Sequence, residues 1–80
     1  MRTKELHFVL TFKTTFQAIK MEKIAKDSGA PGRIIPIPRE ITAGCGLAYS
    51  VLLKDKVQIL ELIEECDMKP EGQYELMLCS

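Results

Sequence analysis

The sequence predicts a small α+β domain with the element order β-α-β-β-α-β. Four short apolar segments are typical of strands, and two longer segments place apolar residues at helical spacing. Glycine and proline turn signals separate these segments. The chain has 80 residues, so we expect residues 1–80 to form a single domain.

The first strand is predicted over residues 6–12, where large apolar side chains alternate along one face. His7, Val9 and Thr11 fall on the other face. We interpret His7 as a solvent-facing or interface residue, because catalysis would need a partner group that the sequence does not offer. The residues expected to face the core are Leu6, Phe8, Leu10 and Phe12.

The first helix is predicted to begin after an N-cap at Thr14 or Thr15 and to run to about Ser28. Gly29 supplies its C-terminal stop, since glycine adopts the left-handed conformation that ends many helices. One face of this helix carries small residues and is expected to pack closely on a sheet. That face contains Ala18, Met21 and Ala25, whereas Phe16 and Ile19 point away from it.

The second strand is predicted over residues 33–37 and the third over residues 47–53. Pro36 indicates that the second strand lies at a sheet edge, because proline cannot donate a ladder hydrogen bond. The connection between them, residues 38–46, is about nine residues long, against two to five for a common hairpin loop. Functional groups are often found on such long loops.

The second helix is predicted to follow Asp55 as its N-cap, and the last strand is predicted over residues 73–78. Helical phase places Cys66 on the buried face of this helix, in its last turn. A free cysteine in that position behaves as a small hydrophobic residue. The other residues of the buried face are Ile59, Leu62 and Ile63, and the outer face carries Glu61, Glu64 and Glu65.

This element order corresponds to the ferredoxin-like arrangement, in which two helices cover one face of a four-stranded antiparallel sheet. Right-handed crossovers place the first and third strands in the middle of the sheet and the other two at its edges. The second face of the sheet, carrying His7, Val9 and Thr11, is expected to stay partly open. It is a possible homodimer surface.

Composition excludes several classes of partner. Eleven basic residues balance eleven acidic ones, so the formal net charge is zero. Nucleic-acid-binding domains usually carry a basic excess, so no nucleic acid is expected as a partner. No apolar stretch approaches the ~20 residues of a membrane-spanning helix, and residues 6–12 lack the features of a signal peptide. We therefore expect a cytoplasmic protein that does not insert into membranes.

The three cysteines are widely separated, and His7 is the only histidine. A zinc site would need more ligands at closer spacing, so no metal is expected, and no other cofactor is indicated. A disulfide framework is also unexpected in a reducing compartment. The cysteines are Cys45, Cys66 and Cys79.

Cys45 lies between Gly44 and Gly46, near the end of the long loop. The neighbouring glycines leave its sulfur with little side-chain cover and allow turns that are closed to other residues. The reactive form of a cysteine is the thiolate, and a free thiol with a pKa of about 8.5 is only slightly ionised at neutral pH. This pattern favours an accessible thiol, provided that the loop also stabilises the thiolate.

Other residues of the loop are candidates for that stabilisation. Arg39 supplies a positive charge, Thr42 a hydroxyl donor, and the backbone around Gly44 and Gly46 an anion-holding turn. Pro38 stiffens the loop, which would present the thiol in one place.

The run Pro-Ile-Pro-Arg-Glu-Ile-Thr-Ala-Gly-Cys-Gly-Leu-Ala at residues 36–48 resembles the signature of a small bacterial family of selenium/sulfur carrier-like proteins. The similarity extends to Thr14 and Thr15, to Ala18 and Glu22 within the first helix, and to the stop after Ser28. It covers essentially the whole chain. The spacing from the Pro-x-Pro-Arg segment to Cys-Gly is its most specific part.

The resemblance implies that Cys45 accepts a sulfur or selenium atom and hands it on, without catalysing a reaction of its own. A donor enzyme, such as a cysteine desulfurase or a selenocysteine lyase, and an acceptor enzyme are the implied partners.

Two alternatives stay open from the residues. In the first, the chain is a metabolite-binding or regulatory dimerisation module of ferredoxin-like fold, and Cys45 is a small residue packed in a tight turn. In the second, the chain is a thiol oxidoreductase in which Cys79 or a second subunit resolves an oxidised thiol, although no adjacent resolving cysteine is present.

Overall fold

The computed structural model describes residues 4–39, 41 and 46–79. The predicted order β-α-β-β-α-β is confirmed, with one short 3-10 turn added before the second helix. The elements are β1 (Lys4–Thr11), α1 (Thr15–Ser28), β2 (Arg33–Pro36), β3 (Leu47–Leu52), the 3-10 turn (Leu53–Asp55), α2 (Lys56–Glu65) and β4 (Gly72–Cys79).

The four strands form one sheet in the order β2-β3-β1-β4, and every neighbouring pair is antiparallel. β1 and β3 are therefore central, and β2 with its Pro36 lies at an edge, as the sequence predicts. β1 pairs with β4 from Lys4↔Cys79 to Thr11↔Gly72. This topology confirms the ferredoxin-like α+β fold. Neither described helix is long and apolar enough to cross a membrane.

The main core lies between the helices and one face of the sheet. The predicted core residues Phe8, Leu10 and Phe12 are at most 2% exposed, but Leu6 is 37% exposed because it lies near the start of β1. The predicted inner face of α1 is also buried, and Phe16 and Ile19 point outward as expected, with 75% and 54% of their surface exposed. The helical residues of this core are Ala18, Met21, Ala25, Ile59, Leu62 and Ile63.

The second face of the sheet is not open as expected. Val9 is 0% exposed and Thr11 is 1% exposed. Val9 belongs to a second apolar cluster, together with Ala48 of β3 and Ile41 of the β2–β3 loop. The expectation of an open face is wrong at these positions, because Ile41 packs against Val9 and the Thr11 hydroxyl donates to the carbonyl oxygen of Gly72 at 3.5 Å.

Both predicted helix starts are found at the expected residues, but only one has a side-chain cap. The backbone N–H of Gln17 donates to Thr14 Oγ1 at 3.2 Å, so Thr14 is the N-cap of α1. Asp55 precedes α2 without a side-chain capping hydrogen bond, since the 3-10 turn that it closes leads directly into the helix. That turn also ends β3 at Leu52, one residue earlier than predicted.

Cys66 is exposed, which contradicts its predicted burial. Helical phase holds only while a helix continues, and α2 ends at Glu65. Asp67, two residues after the end of α2, has a φ of 55°, so the chain leaves the helical path there. Met68, two residues after Cys66, packs against the main core instead.

Both helices end in the same hydrogen-bonding pattern. In α1, Ala30 N–H donates to Ala25 O, and Gly29 has a φ of 70°. In α2, Met68 N–H donates to Ile63 O at 2.8 Å, and Asp67 takes the left-handed position. This is the Schellman motif, in which glycine is the preferred residue.

We expect Asp67→Gly to raise the free energy of unfolding by about 0.5–1 kcal/mol, because relief of left-handed strain exceeds the added flexibility of the unfolded chain. Urea denaturation followed by circular dichroism measures this. Asp67→Ala is the matched control, since it removes the same carboxylate but keeps a Cβ, and it should lower stability. Equal effects of the two substitutions would contradict the explanation.

Candidate functional site

The β2–β3 loop is closed at its base by a backbone hydrogen bond. Beyond the last strand pair, Pro36↔Leu47, the N–H of Ile37 donates to the carbonyl oxygen of Gly46 at 3.0 Å. Gly46 has a φ of 79°, and a Cβ built there would meet nothing within 4 Å. Glycine is therefore favoured at this position by backbone conformation and not by lack of space.

A tight turn forms the first half of the loop. Ile41 N–H donates to Pro38 O at 3.0 Å, so Pro38 begins a turn of four residues. Arg39 is exposed at this turn. Among the residues that the structure describes, its guanidinium forms no ion pair. Its charge is therefore exposed at this turn.

Ile41 fixes the middle of the loop to the sheet. Its side chain is 5% exposed and packs in the cluster that contains Val9 and Ala48. Burial of an isoleucine side chain contributes about 1.5–3 kcal/mol, which is enough to favour one loop position strongly. Partly buried residues extend the cluster across all four strands: Ile35, Ile37, Leu76 and Leu78.

Only residues 42–45 lie between the two points of attachment, Ile41 and Gly46. The roles predicted for Cys45, Thr42 and Gly44 fall outside the described residues and stay predictions. Of the predicted site residues, the structure describes Pro38, Arg39 and Gly46.

Sequence reasoning missed Ile41. The available signal was a single large apolar residue in a segment otherwise rich in turn formers and polar residues. An apolar side chain in such a segment indicates a contact with a neighbouring apolar surface, but not which surface.

His7 lies on the same face of the sheet as Ile41 and is half-buried. Its Nδ1 is 3.0 Å from Ser50 Oγ, a hydrogen bond between β1 and β3. Its Nε2 is buried and has no hydrogen-bond partner among the described residues. His7 is thus a cross-strand packing residue and not a freely solvated one.

A cavity of about 330 Å³ adjoins this hydrogen-bonded pair. It lies toward the end of β3, whereas the cysteine loop precedes the start of β3. The volume is at the lower limit of small-molecule sites, so a metabolite-binding module would place its ligand here. The polar residues that line it are Glu5, His7, Arg33, Ser50 and Asp55.

The described residues define a ferredoxin-like domain whose β2–β3 loop is fixed at two points and carries a single cysteine next to Gly46. The family described as "Putative Se/S carrier protein-like" matches residues 7–75, a span that includes Cys45. The chain belongs to this family, which confirms the resemblance seen in the sequence. No curated protein and no solved structure matches the chain.

Proposed function

We propose that this protein is a non-catalytic carrier that accepts a sulfur or selenium atom on Cys45 and passes it to a partner enzyme. The family match over residues 7–75 is the observation that carries the proposal. The two attachments of the β2–β3 loop support it, because a thiol that must meet two different partners benefits from a defined position.

In the accepting step, the Cys45 thiolate attacks the terminal sulfur of a donor persulfide. A new sulfur–sulfur bond forms at Cys45 Sγ while the donor's own sulfur–sulfur bond breaks, and the bonding electron pair leaves on the donor cysteine as a thiolate. One sulfur–sulfur bond replaces another and the transferred sulfur keeps its oxidation state, so neither an oxidant nor a reductant is consumed. Delivery repeats the step with Cys45 as the leaving thiolate.

Arg39 is the residue proposed to favour the thiolate and the persulfide anion. It is exposed, it belongs to the same loop, and it has no ion-pair partner among the described residues. A cation near a thiol lowers the thiol pKa. Thr42 and the backbone at Gly44 and Gly46 are proposed to donate hydrogen bonds to the sulfur, and Pro38 to fix the turn that carries Arg39.

The proposed partners follow from the chemistry. The donor is an enzyme that holds the atom on its own cysteine as a persulfide or as the corresponding selenopersulfide, such as a cysteine desulfurase or a selenocysteine lyase. The acceptor is an enzyme that incorporates the atom into its product.

Replacement of Cys45 by serine should abolish uptake of a sulfur atom, because serine cannot form a stable persulfide. The protein is incubated with a small-molecule persulfide, and intact mass spectrometry measures the adduct. Cys66→Ser is the matched control, since Cys66 is an exposed thiol at the end of α2. The control variant should keep the adduct.

Peptide mapping then locates the added sulfur in the native protein. An adduct that survives Cys45→Ser, or that maps to Cys66, would overturn the proposal. Such a result would show uptake governed by thiol exposure alone.

A further inference from the structure

β4 is an edge strand without the usual protection against pairing with another strand. It spans Gly72–Cys79 and pairs with β1, and the backbone groups of its outer side have no strand partner among the residues that the structure describes. Edge strands in natural proteins are usually short, charged or interrupted by proline. β4 has eight residues, contains no proline and carries one charged residue, Glu75.

The other edge of the sheet is protected. β2 has only four residues, begins with Arg33 and ends with Pro36, which has no N–H to donate. The two edges therefore differ in their capacity to accept a further strand. Of the two, β4 forms the long and nearly uncharged edge.

We propose that β4 pairs antiparallel with β4 of a second copy of this chain, which joins two four-stranded sheets into one of eight strands. A second copy fits because β4 is complementary to itself. Its apolar residues lie on both faces: Tyr74 is 37% exposed on the face that the loop covers, and Met77 is 52% exposed on the helix side. The net charge of zero adds no repulsion between copies.

Charge decides between the two registers nearest the middle of β4. Residues opposite each other in an antiparallel pair share a face, so the two-fold axis passes midway between the two copies of one β4 residue. An axis at Glu75 would set two carboxylates directly opposite each other, which is destabilising. An axis at Leu76 instead sets Tyr74 opposite Leu78 and Glu75 opposite Met77.

The Leu76-centred register also joins apolar surface that already exists. Leu76 and Leu78 belong to the edge of the cluster around Val9 and Ile41, so pairing makes the two clusters continuous. On the helix side, Glu75 accepts a hydrogen bond from Lys56 Nζ at 2.6 Å, which balances its charge within each copy. The axis is perpendicular to the sheet, so both loop-covered faces lie on the same side of the dimer.

Opposite charges introduced at Met77 test both the interface and the register. In the dimer, residue 77 of each copy lies opposite Glu75 of the other copy, which gives two such pairs. Met77→Glu should therefore weaken dimerisation at least about fivefold. Met77→Lys places the opposite charge at the same position and should leave the dimer as tight as the native one or tighter. In both variants, residue 77 lies opposite Leu6 within its own sheet, so the effects of the two substitutions on folding are comparable.

Sedimentation equilibrium of the full chain, at concentrations up to about 100 µM, measures the dimer dissociation constant. Ile19→Glu and Ile19→Lys change an exposed residue of α1 and should not alter it. A monomer at every concentration would overturn the proposal. It would equally be overturned if Met77→Glu and Met77→Lys weakened the dimer alike, or if the Ile19 variants dissociated it.

Discussion

Replacement of Gly32 by alanine should lower the free energy of unfolding by about 3 kcal/mol, from overpacking of the core and left-handed strain together. Gly32 lies just before β2 and has a φ of 111°. A Cβ at this position would lie 2.6 Å from Tyr49 Cε2 and would also overlap Val51 Cγ1.

Neither neighbour can move away easily. Tyr49 is 1% exposed and Val51 is 3% exposed. The Tyr49 hydroxyl donates to Pro31 O at 2.7 Å, which holds the ring against the turn. Burial, with a smaller contribution from Glu22, raises the pKa of Tyr49 to about 12, so this donor keeps its proton at neutral pH.

Chemical denaturation of Gly32→Ala and of a control variant, Gly29→Ala, measures the loss in the free energy of unfolding. Gly29→Ala is the matched control, because Gly29 also has a positive φ, of 70°, but a Cβ there would meet nothing within 4 Å. Its cost should be about 1 kcal/mol, from conformation alone. A loss for Gly32→Ala no larger than that of the control would contradict the close approach of the turn to Tyr49.

Ile41→Ala should lower the free energy of unfolding by about 2–3 kcal/mol, since it leaves a cavity over Val9 and Ala48. Ile19→Ala removes the same atoms from an isoleucine that is 54% exposed. Its effect should stay within about 0.5 kcal/mol. Denaturant unfolding of both variants gives the comparison, and similar losses would show that Ile41 does not anchor the loop.

The same variant links the anchor to the proposed function. If the anchor positions Cys45 for its partners, Ile41→Ala should slow transfer from a protein donor more than transfer from a small persulfide, because only the protein donor requires a fixed loop. Equal slowing of the two reactions would separate the anchor from partner recognition.

The element order, the edge position of Pro36 and the ends of α1 could all be predicted from the sequence. These features depend on local signals: the period of apolar residues, the Thr14 cap and the Gly29 stop. Handedness of the crossovers then leaves little choice of strand order.

The rest depends on contacts between distant residues. The burial of Ile41 depends on the path of the β2–β3 loop. This loop has no repeating pattern of apolar residues from which its path could be predicted. The His7–Ser50 hydrogen bond joins residues 43 positions apart and depends on the register of β1 against β3. The exposure of Cys66 depends on where α2 stops, and phase alone carries no information about helix length.

The β2–β3 loop therefore covers apolar residues of the sheet through Ile41 and also carries Cys45. Cleavage by a protease between Ile41 and Gly46 would release the side chain that shields Val9 and Ala48. The cleaved molecule would then expose an apolar patch on its central strands. The loop that carries Cys45 would be broken by the same cut. Damage to this segment would thus lower solubility, and damaged copies would be prone to aggregation and degradation.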